Sequence, residues 1–219
     1  MPERNERQSS ADRRDQGQLE GEDFNEPALH QVVASEAVLL LTVMVCTVMI
    51  WNNNVNVYGI SYFGVTTPTL PIVAIGFLAG SVILIMASRK FPDVPPYGLV
   101  KWTLRIVSVG ILLLLLTPYT LDTFFNWTHM ILGASIFIVE LYTGGVLCFR
   151  HLRDRLSKYA LIIQFMGGVL AALSLPDNML NFMLEGEVIF QIGFMVLLNH
   201  LLRTEPSLVT SALPPQPEG

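Results

Sequence analysis

Among the 219 residues, Glu140 is the side chain whose type and position most invite chemistry. It stands in the middle of an apolar run, where an ionisable group costs about 2.5 kcal/mol or more and by default faces protein or water. Gln164 and Gln191 fall at comparable depth in the two apolar runs that follow. A carboxyl meeting two amides could relay a proton or hold a polar substrate. Its plainer role is a hydrogen bond joining three helices, worth roughly 1 kcal/mol. A second set of residues lies in the short polar breaks between runs: Asp122, Asp177, Glu185 and Glu187, with His129 nearby. Hard oxygen ligands of this kind suit Ca²⁺ or a similar divalent ion. Hydrolytic zinc wants three protein ligands, usually with more than one His, and here there is one. Acidic residues between apolar runs are also what an outer membrane face ordinarily carries, so no resident metal or cofactor is expected.

Other chemistries find less support. The four histidines, His30, His129, His151 and His200, are too few on one side for two bis-histidine haems across a membrane. They leave room for one, between His151 and His200. There is no Gly-rich phosphate loop, no G-x-S-x-G elbow and no H-E-x-x-H. Cys46 and Cys148 should differ in depth by roughly 20 Å, whereas a disulfide needs Cα atoms within about 7 Å.

The elements that position these side chains follow from composition. The chain is 52% hydrophobic and 14% charged, against about 25% charged in an ordinary soluble domain. Residues 1–30 hold 4 Arg and 8 Asp or Glu, 12 of the 31 charges, which leaves 19 for the other 189 residues. A nucleic-acid binder would need a basic surface, which this chain lacks. The expected fold is all-α: a polytopic transmembrane bundle of six spans, at about 31–51, 69–87, 103–121, 129–149, 159–176 and 186–202. Each is near the roughly 20 residues that cross about 30 Å of hydrocarbon.

With both termini cytoplasmic, all 13 basic residues, from Arg4 to Arg203, fall in inner segments and none outside, as the positive-inside rule requires. Trp51, Trp102 and Trp127 each mark a span boundary, where interfacial aromatics belong. The localisation this implies is the plasma membrane. Residues 1–26 read as a disordered acidic tail and 204–219 as a flexible Pro-rich one, flanking a membrane domain over 27–203. Of the 18 acidic residues, Glu140 alone is expected deep in a span.

Two further features bear on partners. The uncharged outer loop Asn52 to Pro68 alternates loosely and could form a short hairpin or an amphipathic cover over the outer mouth. Gly76-Phe77-Leu78-Ala79-Gly80 matches G-x-x-x-G, which lets helices approach closely. Its default use is packing within the bundle, and its other use is homodimerisation through the Gly76/Gly80 face. Glycines also cluster at Gly133, Gly144, Gly145, Gly167 and Gly168.

The six spans, the Gly/Asn/Tyr-rich first outer loop, and a lone His129 followed by Gly133-Ala134-Ser135-Ile136-Phe137 resemble small uncharacterised six-span bacterial membrane proteins. More distantly they resemble the DRAM-like family. The resemblance implies the fold and carries no catalytic residue across. The leading expectation is a non-enzymatic protein that binds lipid or a membrane partner. A small transporter or proton-coupled carrier centred on Glu140 is the alternative, and an outer-face metal-dependent enzyme is the third reading.

Overall fold

The computed structural model describes residues 27–175 and 180–204, which are helical with no strand among them. Six helices are long and apolar enough to cross a membrane. They are α1 (Pro27–Met49), α3 (Leu70–Ser88), α4 (Tyr97–Leu116), α5 (Thr123–Val146), α6 (Arg155–Leu173) and α7 (Met183–Thr204). Between α1 and α3 lie a short helix, α2 (Asn53–Tyr58), and a 3₁₀ segment, Gly59–Gly64. The chain is therefore an integral membrane protein built as a helical bundle. Its acidic and Pro-rich tails lie outside the described residues.

Local chemistry sets each boundary. Pro71 lies in the first turn of α3, where its missing N–H costs nothing. The fourth helix starts at Tyr97, after Pro95-Pro96, and stops at Leu116 because Pro118 forces Thr117 out of helical geometry. The expected span 103–121 is thus displaced toward the N-terminus. Asp122 accepts from the backbone N–H of Phe125 at 2.9 Å and so starts α5 at Thr123. Residues 123–128, expected as loop, form its first turns, and Asn126-Trp127-Thr128 is helical. At the other end the helix widens into a π-helical stretch, Leu147–Leu152, closed by Arg153 at a φ of 54°.

Three apolar clusters form, the smallest of them Cys148, Ala160 and Leu197. Around the end that carries the basic turns, Val32, Leu84, Phe91, Tyr97, Leu104 and Leu201 belong to one buried cluster. Toward the opposite end, Val43, Cys46, Val55, Phe63, Val73 and Leu184 form a second. Cys46 and Cys148 are both free and buried in different clusters. The helix interfaces between are unusually polar. Ser35 Oγ donates to Gly80 O at 2.8 Å, and the Thr103 and Thr143 hydroxyls share a 2.7 Å bond. Outward-facing Leu116, Ile131, Ile138 and Phe149 are more than half exposed, an apolar surface that water would not tolerate at this density but lipid does.

Small residues set the spacing. Gly76 packs on Thr42 and Gly80 on Leu39 of α1, so the G-x-x-x-G face offered for homodimerisation is occupied within the chain. The tightest seam is α6 against α7. A Cβ on Gly193 would strike the backbone of Gln164, and one on Gly186 the backbone of Ala171. Replacing Gly193 with Leu should therefore destabilise the bundle by about 1–3 kcal/mol. Gly133→Ala, where the added methyl meets nothing, should be close to neutral. Unfolding of the purified protein by graded detergent denaturation reads both.

Candidate functional site: a polar stripe along the last helix

Glu187, Gln191, Met195, Asn199 and Arg203 recur every four residues and form one stripe along α7. Three of them bind a different partner element. Gln191 Nε2 donates to Glu140 Oε2 of α5 at 2.9 Å. Asn199 Nδ2 donates to Glu36 Oε2 of α1 at 2.9 Å and to Met195 O at 2.9 Å. Glu187 Oε2 accepts the backbone N–H of Ile60, in the 3₁₀ segment, at 2.7 Å. One helix thus gathers carboxyls from α1 and α5 and a backbone donor from the cover.

Glu140 is 1% exposed and Glu36 8%, and their α7 partners, Gln191 and Asn199, stand eight residues apart, about 12 Å along the helix. Glu140 is not alone inside the membrane domain, as the sequence suggests. Glu36 lies within the described helix Pro27–Met49, thirteen residues before its last residue. It reads as a boundary charge only if the first span is taken to begin near it, and its burial places it inside the bundle.

Gln164, the third expected member, does not join the bond between Glu140 and Gln191. It is fully buried, and neither atom of its amide has a partner. Its backbone is pressed against Gly193, and its amide lies against Gly144, one turn along α5 from Glu140. An unpaired buried amide costs about 1–3 kcal/mol. The three side chains therefore line a buried seam with spare hydrogen-bonding capacity on the Gln164 side.

At the cover end, the expected outer-face residues hold structure individually. Asp122 caps α5. His129 Nδ1 faces Thr117 O at 2.7 Å, so this nitrogen carries the proton, and Nε2 accepts from Ser61 Oγ at 2.8 Å. Glu185 is in the first turn of α7, and Asp177 lies outside the described residues. No three of the described His, Cys, Asp or Glu side chains converge on a metal position.

The loop Asn52 to Pro68 is a helical cover instead of a hairpin, held down by buried Val55 and Phe63. Tyr58 stacks between Tyr62 and Tyr119, and Tyr119 leans on His129. Burial, with the neighbouring phenols of Tyr58 and Tyr62, pushes Tyr119 up to about 12. Amide hydrogen bonds from Asn54 and then Asn52 hold the Tyr62 phenol below its ordinary value. The pairing of Ser61 with His129 spans 68 residues and leaves no trace in local spacing.

At the basic end, His200 Nε2 meets Asp154 Oδ2 at 2.6 Å. Asp154 also caps α6, accepting from Ser157 N at 2.8 Å. Partial burial pushes the Asp154 carboxyl up, but the bonds from Ser157 and His200 outweigh it and hold the group below the usual range.

The fold and the buried carboxyls define a six-span α-helical membrane protein with ionisable groups inside the bundle. No protein family, curated protein or solved structure matches the chain.

A carboxyl held low in the folded state contributes stability above its unfolded value, near pH 4, and that contribution fades as pH falls through the lower folded value. Asp154→Ala should cost about 1 kcal/mol at neutral pH. Asp154→Asn, which keeps the cap but loses the charge, should cost less. The gap between Asp154→Ala and the parent should narrow below pH 4 in pH-dependent unfolding.

Proposed function

We propose that the protein is a small proton-translocating membrane carrier whose protons reside on Glu140 and Glu36. The observation that carries this reading is the placement of two buried span carboxyls, from α1 and α5, along one helix, where Glu140 meets Gln191 and Glu36 meets Asn199 of α7. An ionised carboxyl in hydrocarbon is costly, and such groups mark ion paths and proton relays. Each of the two is buried and bonded to its own amide on α7, with no cation within ion-pair distance among the described residues, so the neutral, proton-carrying form is the one the seam accommodates. Purely structural glue would need no ionisable group, because Gln and Asn supply the same hydrogen bonds at lower desolvation cost.

The stripe on α7 supports a direction of travel. From the basic end it runs through Asn199 with Glu36 and Gln191 with Glu140 to Glu187 beneath the cover. In the closed arrangement the seam is buried, and exchange with water requires α7 to part from α1 or from the cover. The basic end then faces the cytoplasm, by the positive-inside rule, and the membrane is the plasma membrane. A cysteine introduced at Arg153 should react with an impermeant reagent only from the cytoplasmic side, and labelling from outside would reverse this orientation.

The direct test is flux. The purified chain, in liposomes enclosing a pH-sensitive dye, should acidify the lumen when a potassium diffusion potential is imposed. Glu140→Gln and Glu36→Gln should each slow this at least about tenfold, the loss of a positioned proton acceptor, with helicity and elution volume unchanged. No flux above empty liposomes, or full flux in both variants, would refute the reading.

A further inference from the structure

A second feature lies along the basic half of α7 and shares Met195, Asn199 and Arg203 with the stripe. An open groove of about 380 Å³ runs beside the start of α6, walled by Leu156, Ile192, Met195 and Val196 and closed at the basic end by Asn199 and Arg203. Its long axis is set by α7. Ile192 and Arg203 are eleven residues apart, about 16 Å along the helix, close to half of a roughly 30 Å hydrocarbon core. The groove thus begins near mid-membrane and ends at one interface, the span of one leaflet's acyl chain.

The two ends differ in chemistry as a lipid's do. The mid-membrane end is aliphatic, with Ile192 exposed, and Leu156, on the first turn of α6, carries the apolar wall to the basic end. The interfacial end presents the exposed guanidinium of Arg203, which forms no ion pair with a described residue. Arg155 and Lys158, also exposed, flank Leu156 on the first turn of α6. Asp154, the carboxylate beside this end, is engaged by His200 and Ser157. A guanidinium suits bidentate capture of a phosphate, and basic positions at a helix end favour anionic headgroups by about 1 kcal/mol each.

From this match of length, apolarity and charge, we infer that the groove is a binding site for one anionic phospholipid of the leaflet at the basic end, its acyl chain against Ile192, Met195 and Leu156 and its phosphate on Arg203. The site is wide open to the bilayer and needs no helix movement to fill. It also abuts Asn199, which holds Glu36 on its other side, so an occupant lies one residue from the carboxyl seam.

The test uses the full chain in nanodiscs of phosphatidylcholine alone or with phosphatidylglycerol. Binding is read by native mass spectrometry as retained phosphatidylglycerol and by the shift in unfolding midpoint. The parent should retain the anionic lipid and gain stability from it. Arg203→Gln should retain about fivefold less, and Met195→Trp, which fills the groove, should lose retention as well. Arg89→Gln, a basic residue at the same end but outside the groove, should behave as the parent. If Met195→Trp fails to fold, Arg203→Gln against Arg89→Gln decides. Equal retention by Arg203→Gln and the parent, or an equal loss in Arg89→Gln, would overturn the site and leave general surface attraction.

Discussion

A polar atom inside this bundle must find its partner in the protein, because lipid hydrocarbon supplies none. That constraint explains why α7 occupies the position it does. Its stripe of Glu187, Gln191 and Asn199 draws in Ile60 from the cover, Glu140 from α5 and Glu36 from α1. The glycines opposite the stripe make this possible. Gly186 and Gly193 let α6 approach to backbone contact, which fixes the rotation of α7 and aims the polar row at its partners. Packing and polar satisfaction are here one device: a bulky residue at Gly193 would displace the donors of Gln191 and Asn199 as well as the helix.

How much of this was legible in the residues depends on the length scale of the signal. The six spans are legible because hydropathy integrates over some twenty positions, and the breaks at Asn52-Asn53-Asn54 and Pro95-Pro96 interrupt it cleanly. Helix starts are less so. Asp122 and Asp154 look like loop charges, yet each is an N-cap that draws the next helix several residues earlier. That shift turns the supposed outer loop around Asn126 into helix. It also places His129 within α5, where its ring can reach Ser61.

The carboxyl site was half legible. Glu140 and Gln191 stand out because each interrupts an apolar run, and they do bond. Gln164 stands out for the same reason but is turned toward Gly144, a rotation decided by α6 packing on Gly193 and invisible to depth alone. Glu36 was missed because a charge near the start of an apolar run reads as its border, and what buries it is a bond to Asn199, 163 residues away on α7. Gly186 and Gly193, seven residues apart, repeat at helical spacing and could have been found by the same scan that picked out Gly76 and Gly80. The bond between Ile60 and Glu187 joins residues 127 apart, and no local pattern encodes it.

The central claim is that Glu140 and Glu36 hold protons exchangeable with water in the native bundle. Infrared difference spectroscopy of the protein in lipid, across a pH step and in H₂O against D₂O, measures this directly. The account predicts a protonated-carboxyl band that shifts in D₂O, loses part of its intensity in Glu140→Gln and in Glu36→Gln, and vanishes in the double variant. A band unchanged by either substitution, or one that never exchanges with D₂O in the folded protein, would contradict it.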